Sequence, residues 1–256
     1  MPLADQQFIQ FSRQILLPEV GEAGQQRLMA ARVAIVGIGG LGQLCAQYLS
    51  AAGIGGLTLI DDDKVELSNL PRQLLFSLDD CGKYKALVAQ QKLGSGHYNA
   101  DICQITAKTE RLNRQNARTL FGDVDLVLDC SDNFATRHCV NAACVAANLP
   151  NVVGSAAHFS GQLVAFDLSR APEAGCYHCV FPAELRVREN CSTLGVLGPM
   201  VGTMASMQAL LALKLIMDLG GLGEMQRYNG LMAEMHKVRL RRDPHCPVCA
   251  DMAKER

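Results

Sequence analysis

The sequence predicts an α/β protein built on a Rossmann-like, doubly wound sheet that is mostly parallel and continues into an antiparallel extension. Between residues 33 and 153, short apolar runs rich in β-branched residues alternate with helical segments, which is typical of parallel strands covered by helices on both faces. Residues 225–241 alternate like a pair of strands, which predicts the extension. We find no linker, internal repeat or low-complexity segment, and therefore expect one domain over residues 1–256.

The composition argues against several classes of function. A net charge of −1 gives no electrostatic footprint for nucleic acid or an anionic membrane. The N-terminus has neither the charged nor the apolar region of a signal peptide. The chain has eleven cysteines, an odd number, and it is too long to need disulfides for its stability. Several of these cysteines stand in apolar stretches, where cysteine acts as a small hydrophobic residue. We therefore expect a reducing cytoplasm, with no nucleic-acid or membrane partner.

The first predicted strand begins at Val33 and runs into a glycine-rich turn. Gly37, Gly39 and Gly42 have the G-x-G-x-x-G spacing that lets a backbone approach a phosphate at a helix N-terminus. A helix is expected to follow over residues 43–52. Tight packing of a strand against a helix also selects glycine, so the spacing alone is a weak signal for a nucleotide.

The second predicted strand, residues 57–60, strengthens the nucleotide interpretation. It ends in Asp61, about 20 residues after the last glycine of the turn, where a βαβ nucleotide unit places a carboxylate for the ribose. An acidic residue at the end of this strand therefore favours nucleotide binding over simple close packing.

A polar, turn-forming segment, residues 64–76, comes next and holds Asn69, Arg72 and Gln73 close together. A helix predicted over residues 83–93 then carries Lys85 in its first turn. The helix dipole disfavours a cation at that end, so a bound anion would explain this lysine. A solvated lysine explains it equally well.

Asp132 follows a buried strand predicted at residues 125–129. It therefore lies just beyond the carboxyl end of a parallel strand, the edge at which α/β sheets bind ligands. The alternative is a helix N-cap, since Ser-Asp-Asn is also good capping sequence. The remaining elements of the sheet region are predicted as strands at residues 102–106, 151–153 and 161–167 and a helix at residues 113–121.

Two further helices are predicted outside the alternating region. Residues 7–20 are expected to pack through Phe8, Phe11 and Ile15, with Arg13 solvated. Residues 198–219 are apolar and long enough to suggest a membrane span. Polar residues interrupt this stretch, so we expect a helix buried against the sheet.

Two Cys-x-x-Cys pairs lie beyond the predicted sheet, Cys176 with Cys179 and Cys246 with Cys249. Two such pairs of thiolates make a tetrahedral zinc site that joins distant parts of a chain. A redox dithiol is a poor alternative for the second pair, which does not follow a strand in a βαβ unit. We expect a structural zinc that staples the C-terminal region.

Taken together, these motifs resemble the ThiF/MoeB/HesA family, the bacterial relatives of ubiquitin-activating enzymes. The resemblance covers essentially the whole chain. It is carried by Ser-Arg-Gln near the N-terminus, Gly-Ile-Gly-Gly-Leu-Gly, Asp-Asp-Asp-Lys-Val-Glu-Leu-Ser-Asn-Leu-Pro-Arg-Gln, Leu-Asp-Cys-Ser-Asp-Asn and the two cysteine pairs. Asp-Asn-Phe-Ala-Thr-Arg, Gly-Cys-Tyr-His-Cys, Glu-Asn-Cys-Ser-Thr and Cys-Pro-Val-Cys favour the ThiF branch over the molybdopterin branch.

The resemblance implies an ATP-dependent adenylyltransferase. Its substrate would be the C-terminal carboxylate of a small β-grasp sulfur carrier of the ThiS type, ending in Gly-Gly and serving thiamine thiazole synthesis. A sulfur-donor desulfurase would be a further partner. The alternatives are activation of a molybdopterin-synthase carrier, a nicotinamide-dependent oxidoreductase, and a non-catalytic zinc-stapled binding module.

The family pattern also implies roles for individual residues. ATP and Mg²⁺ would be bound in one site, and a homodimer would be part of the mechanism because one side chain reaches the neighbouring subunit's site. The roles are phosphate binding for Arg72 and Lys85, Mg²⁺ binding for Asp132, ribose binding for Asp61, orientation of the phosphates for Asn69, backbone approach at Gly37, Gly39, Gly40 and Gly42, further nucleotide contacts for Gln73 and Asn133, and action across the dimer for Arg13.

Cys191 follows a charged stretch, residues 183–190, and we expect its thiol to be accessible. Arg186 and Arg188 could lower its pKa and make it nucleophilic. Members of the family differ at this residue, and our hypothesis is that Cys191 attacks the carrier adenylate or joins the carrier through an acyl disulfide during sulfur transfer. An exposed, unreactive cysteine is the alternative.

Overall fold

The computed structural model describes residues 3–95, 102–184 and 195–250. Within these ranges eight strands form one sheet in the order β3-β2-β1-β4-β5-β6-β7-β8. The strands are β1 Arg32–Val36, β2 Gly56–Ile60, β3 Gln104–Lys108, β4 Leu126–Asp129, β5 Asn151–Ala157, β6 Ser160–Phe166, β7 Glu224–Asn229 and β8 Glu234–Arg239. The α-helices are α1 Asp5–Ile15, α2 Gly21–Ala30, α3 Gly40–Ala51, α4 Lys85–Gly94, α5 Ala117–Phe121, α6 Phe134–Ala147, α7 Tyr177–Val180 and α8 Gly198–Ile216.

The sheet has a parallel part and an antiparallel part. Strands β3, β2, β1, β4 and β5 pair in parallel, and their 3-2-1-4-5 order is that of the Rossmann fold. Strands β5 to β8 pair antiparallel through consecutive neighbours. The predicted fold class, including its antiparallel extension, is therefore confirmed.

Helices cover both faces of the parallel part because its side chains alternate between two cores. On β1, Val33 and Ile35 point into the larger core, which α3, α4 and α8 cover. Ala34 and Val36 point into the smaller core, which α5 and α6 cover. All four side chains are buried, as expected for a central strand.

Helix α8 is a core helix, as its interrupted apolar sequence predicts. By length and composition it is the one described helix apolar enough to cross a membrane. It packs against α3 and β5, however, and Met204 and Ala212 on it are fully buried. The buried Gln208 side chain donates from Nε2 to the carbonyls of Asp129 and Val152 at 3.0 Å each, and this ties α8 to the sheet.

The N-terminal region differs from the prediction of one helix. Helix α1 ends at Ile15, and a second helix, α2, follows it. Helix α2 was not predicted as a separate helix. Its first residue, Gly21, adopts a positive φ of 54°. Phe11 is buried as expected, but Phe8 is 45% exposed, so the expected packing of Phe8 is wrong.

Several other boundaries also shift. Helix α3 begins at Gly40 rather than at residue 43, because the turn closes with Gly39 as the N-cap. Helix α5 begins only at Ala117, because the Asn113 side chain accepts a 2.9 Å hydrogen bond from the N–H of Gln115 and holds a local turn. Strand β3 lies two residues further along than predicted.

Candidate active site

A cavity of about 570 Å³ opens at the carboxyl edge of β1, β2 and β4. This is the edge at which open α/β sheets bind ligands. The structure brings together most of the residues predicted for a nucleotide site, and those that line the cavity are Gly37, Gly39, Gly40, Asp61, Asn69, Arg72, Gln73, Lys85, Asp132 and Asn133. Two predicted residues, Gly42 and Arg13, do not line it.

The glycine-rich turn forms the floor of the cavity. Gly37 has a φ of +87°, and a Cβ there would lie 2.9 Å from the carbonyl oxygen of Cys130. Gly42 lies in the first turn of α3, where a Cβ would lie only 1.8 Å from the Gly37 carbonyl oxygen. Gly42 therefore serves the site indirectly, by letting the helix pack against the turn.

Asp61 is held at the end of β2 by backbone donors. Its Oδ2 accepts a 2.6 Å hydrogen bond from the N–H of Ile38, and its Oδ1 accepts one of 2.8 Å from the N–H of Asp63. Burial raises the pKa of this carboxyl to about 6, although the charge of Lys85 and both hydrogen bonds act to lower it. The carboxyl is thus fixed beside the glycine-rich turn with a pKa close to neutrality.

Lys85 is the first residue of α4, and its Nζ lies 2.9 Å from Oδ2 of Asp63. Its side chain is only 8% exposed. The interpretation of Lys85 as a solvated lysine is therefore wrong, because a carboxylate from the end of β2 compensates its charge. Lys85 and its partner Asp63 both belong to the residues that line the cavity.

The segment between β2 and α4 supplies three polar side chains to the cavity. Asn69 is buried and its Oδ1 accepts a hydrogen bond from the N–H of Glu66 at 3.3 Å. The half-buried Arg72 donates from Nη1 to the carbonyl of Ser68 at 3.0 Å. Gln73 is buried, and its Oε1 has no hydrogen-bond partner among the described residues. A buried acceptor left unpaired at a cavity wall fits a site that takes a polar ligand.

An ion pair fastens this segment to α4. Lys92 lies 2.5 Å from Oδ2 of Asp80 and also donates to the carbonyl of Leu75 at 2.9 Å. Burial acts to raise the pKa of Asp80, but the hydrogen bonds from Lys92 and Ser77 outweigh it and lower the pKa to about 2. The segment that carries Asn69 and Arg72 is therefore anchored at its far end.

Asn133, rather than Asp132, is the N-cap of α6. Its Oδ1 accepts a 2.9 Å hydrogen bond from the N–H of Thr136. The interpretation of Asp132 as an N-cap is therefore wrong. Asp132 is exposed and lines the cavity.

Two buried charged residues that were not predicted from the sequence, Asp129 and Arg137, support the loop after β4. Asp129 accepts hydrogen bonds at Oδ1 from the N–H and the hydroxyl of Ser131, at 3.0 and 2.6 Å. Burial raises the pKa of Asp129, and the guanidinium of Arg137 opposes the rise. Arg137 donates from Nη2 to the carbonyls of Ser131 and Gly154, at 2.6 and 3.0 Å, and so joins this loop to β5.

The two flanks of the cavity were not predicted from the sequence. Glu110, Arg111 and Leu112 line one flank, just after β3, and Ser155 and Ala156 line the other, near the end of β5. The rule that identified Asp61 and Asp132 would have found them, since each group lies at the carboxyl end of a parallel strand. The misplaced end of β3 and the early predicted end of β5 hid this signal.

The four predicted zinc ligands come together at a separate site. The Sγ atoms of Cys176, Cys179, Cys246 and Cys249 all lie within 4.8 Å of one another. Three of the separations are 4.0, 3.8 and 3.5 Å, and tetrahedral coordination with Zn–S bonds of about 2.3 Å requires about 3.8 Å. None of these cysteines lines the cavity, so the site is suited to a structural metal.

The surroundings of the four sulfurs also suit a metal. Asn141 donates from Nδ2 to Sγ of Cys176 at 3.5 Å, while its Oδ1 accepts from the N–H of Tyr177 at 2.9 Å. Such donors to sulfur orient metal ligands. Burial raises the pKa of the Cys249 thiol, and a bound cation would favour its thiolate form.

Arg13 lies exposed on α1 and does not line the cavity of its own chain. Cys191, with Arg186 and Arg188, lies outside the described residues.

Comparison with known proteins identifies the family to which this chain belongs. Residues 11–248 match the model of the ThiF family. The sulfur carrier protein ThiS adenylyltransferase of Escherichia coli (strain K12) is 45% identical over 246 residues, 96% of this chain and 96% of the relative. The Drosophila grimshawi adenylyltransferase and sulfurtransferase MOCS3 is 41% identical over 254 residues, 97% of this chain, which spans only 56% of that relative. The solved structure of E. coli MccB with ATP superposes with a TM-score of 0.80 at 25% identity, covering 94% of this chain and 73% of that one.

Proposed function

This chain belongs to the ThiF family, and we propose that it is an ATP-dependent adenylyltransferase that activates the C-terminal glycine carboxylate of a small β-grasp sulfur carrier for thiamine thiazole synthesis. The cavity carries this proposal, because it places two cations, Arg72 and Lys85, and the carboxylates Asp61 and Asp132 around one glycine-rich turn. A nicotinamide-dependent oxidoreductase is not favoured, because residues 11–248 match the ThiF family.

The chemistry needs little from an acid or a base. A C-terminal carboxyl has a pKa of about 3.5 and is ionised at neutral pH, so it can attack the α-phosphorus of ATP directly. The acyl-adenylate forms as the bond from the α-phosphorus to the bridging oxygen breaks and pyrophosphate leaves. The task of the protein is electrostatic: to bring one anion to another and to neutralise the leaving group. Arg72 and Lys85 supply positive charge for the phosphates, and Asn69 orients them.

The two carboxylates, Asp61 and Asp132, have different roles in nucleotide binding. Asp61, fixed at the end of β2, accepts hydrogen bonds from the ribose hydroxyls. Asp132 binds Mg²⁺, which would neutralise phosphate charge when bound. Gly39 and Gly40 let the nucleotide pack against the backbone, and the unpaired Oε1 of the buried Gln73 offers it an acceptor.

The other flank of the cavity suits the end of the carrier. Ser155 and Ala156 are small residues, and they line the cavity near the end of β5. The small side chains leave room for an extended tail to reach the α-phosphorus, which suits a carrier that ends in Gly-Gly.

A homodimer completes the proposed site. Arg13 is exposed on α1 and absent from the cavity of its own chain. The apolar side chains of Phe8, Ile9 and Leu16 around it are exposed as well, and a second copy of the chain would cover them. We assign Arg13 to the phosphates bound by the neighbouring subunit.

The cysteine site holds one zinc per chain in this proposal. The two halves of the site come from the start of α7 and from the segment after β8, so that the metal ties the C-terminal region to the domain. The ten cysteines among the described residues are unpaired, which fits a reducing cytoplasm. Delivery of sulfur to the activated carrier falls to a separate desulfurase.

A second candidate function is activation of a molybdopterin-synthase carrier, which the likeness to MOCS3 proteins supports. The same adenylylation chemistry would serve it, and only the docked carrier would differ. Because this chain spans about half the length of those relatives, their full activity does not transfer.

The decisive experiment is carrier-dependent exchange of labelled pyrophosphate into ATP. We expect exchange with a ThiS-type carrier and much slower exchange with a molybdopterin-synthase carrier or with a carrier that lacks its last glycine. Equal exchange without any carrier, or none with either carrier, would contradict the proposal. Faster exchange with the molybdopterin-synthase carrier would support the second candidate.

A further inference from the structure

Asp63 lies in the cavity wall, and the adenylylation chemistry above gives it no role. Its Oδ2 lies 2.9 Å from Nζ of Lys85. The two backbones are joined as well, because the N–H of Lys85 donates to the carbonyl of Asp63 at 3.0 Å. The side chains differ in exposure, with Lys85 8% exposed and Asp63 68% exposed. The cation is therefore buried and fixed, while its counter-ion faces solvent and the cavity.

A buried ammonium group needs a compensating negative charge. Asp61 also lies close enough to Lys85 for their charges to interact, but its two oxygens are already bonded to the N–H groups of Ile38 and Asp63. Asp63 has no such tether on its carboxylate, for which Lys85 is the one hydrogen-bond donor within the described ranges. Of the two carboxylates, Asp63 is the one that can move away.

We propose that Asp63 is a displaceable counter-ion that holds Lys85 between turnovers and yields it to the nucleotide phosphates when ATP binds. The inference rests on the proposed function and adds a positioning residue to it. ATP must then compete with Asp63 for the lysine, and so must pyrophosphate. The competition weakens the binding of both anions and speeds the release of pyrophosphate, while Lys85 is never left buried without a partner.

The substitution Asp63→Asn tests this inference, because it keeps the shape of the side chain and removes its charge. Titration calorimetry should show ATP and inorganic pyrophosphate each binding about threefold to tenfold more tightly than to the wild type. Turnover should fall because pyrophosphate leaves more slowly. The Tm of the ligand-free variant should fall as well, since Lys85 is left without its counter-charge.

The matched control is Asp62→Asn. Asp62 lines the same cavity and carries the same formal charge, but it has no ion pair within the described part of the chain. We expect it to change both affinities by clearly less than Asp63→Asn does. The gain in affinity should also depend on Lys85. The double variant Asp63→Asn/Lys85→Gln should therefore bind ATP and pyrophosphate no more tightly than Lys85→Gln does. A gain that persists there, or an equal gain in Asp62→Asn, would mean general electrostatic repulsion and overturn the inference.

Failure of the inference can be told apart from failure of the proposed function. If the wild type binds ATP and Asp63→Asn binds it equally or more weakly, the function stands and the counter-ion role is wrong. If the wild type binds neither ATP nor pyrophosphate, the proposed function itself is overturned.

Discussion

The side-chain Oδ1 of Asn133 accepts a 2.9 Å hydrogen bond from the backbone N–H of Thr136. This bond caps α6, and it leaves the preceding residue, Asp132, exposed at the wall of the cavity. Two adjacent polar residues thus differ in position: Asn133 stabilises the helix, and Asp132 faces the cavity. This difference makes the two roles separable by mutation.

Asp132→Ala should reduce pyrophosphate exchange at least about 100-fold, because it removes the proposed Mg²⁺ ligand from a reaction that depends on charge neutralisation. Its Tm should stay close to that of the wild type, since Asn133 makes the capping bond and contacts the Asp132 carboxylate only through a long, exposed hydrogen bond of 3.4 Å. Asn133→Ala should lower the free energy of unfolding by about 1 kcal/mol through loss of the cap. Full exchange activity in Asp132→Ala would remove the metal role from this residue.

The proposed zinc site of the four clustered cysteines predicts one equivalent of metal per chain. Cys246→Ser should release the zinc and lower the Tm, because binding of a structural metal contributes to the free energy of folding. Cys103→Ser is the matched control, since Cys103 is a buried cysteine outside the cluster. Elemental analysis of protein made in zinc-replete medium measures the metal. Metal-free wild-type protein, or equal metal in Cys246→Ser, would contradict the assignment.

Asp61 predicts a pH dependence with a definite sign. Its pKa is raised to about 6 in the folded chain, and the protonated carboxyl is a poorer acceptor for ribose hydroxyls. ATP affinity should therefore fall as the pH drops below about 6. As the pH drops, the Kd of the wild type should rise toward that of Asp61→Asn, so the ratio of the variant Kd to the wild-type Kd should fall. Titration of the ATP phosphates affects both proteins alike and cancels in this ratio. A constant ratio between about pH 5 and pH 8 would exclude the role in ribose binding.

Protonation of the Asp61 carboxyl should stabilise the fold, although it should weaken ATP binding. Because its folded pKa lies above the ordinary value of 3.8, the folded state holds the proton more tightly than the unfolded state does. The free energy of unfolding should thus decrease as the pH rises from about 4 to about 6. Asp61→Asn should remove this contribution, which denaturant titration at a series of pH values would measure.

If Arg13 acts in the active site of the neighbouring subunit, two inactive variants should restore activity when their subunits mix. Arg13→Ala and Asp132→Ala should each be inactive alone. After subunit exchange, a mixture of the two should regain up to about a quarter of wild-type activity, because mixed dimers hold one site with both intact groups. Lack of recovery despite exchange shown by mass spectrometry would place Arg13 in its own subunit's site or outside the mechanism.

The sequence predicted the architecture because its strongest signals are periodic. Alternation of apolar strands with helices gave the parallel sheet, and the alternating tail gave the antiparallel extension. Boundaries were less predictable where side chains act locally. The Asn113 turn delays α5 by four residues relative to the prediction, and the closure at Gly39 advances α3 by three.

The candidate site was predictable where a motif and a strand end coincide, as at Asp61 and Asp132. Two of its features depend on tertiary contacts and carry no signal in sequence. The ion pair of Asp63 with Lys85 joins the end of β2 to the start of α4, and Arg137 joins the loop after β4 to β5. Sequence alone offered only a bound anion or solvent as the environment of Lys85.

Cys191 remains a prediction of the sequence and its family resemblance, and it separates two stages of the proposed reaction. Adenylylation should not need this thiol, because the carrier carboxylate attacks ATP without help. Cys191→Ser should therefore keep wild-type pyrophosphate exchange, yet form the carrier thiocarboxylate much more slowly with the sulfur donor present. Cys81→Ser is the matched control, since Cys81 is an exposed, unpaired cysteine that does not line the cavity. Mass spectrometry of the carrier measures the thiocarboxylate directly. If it forms at the wild-type rate in Cys191→Ser, the thiol takes no part in sulfur transfer, and this chain contributes the adenylyltransferase step alone.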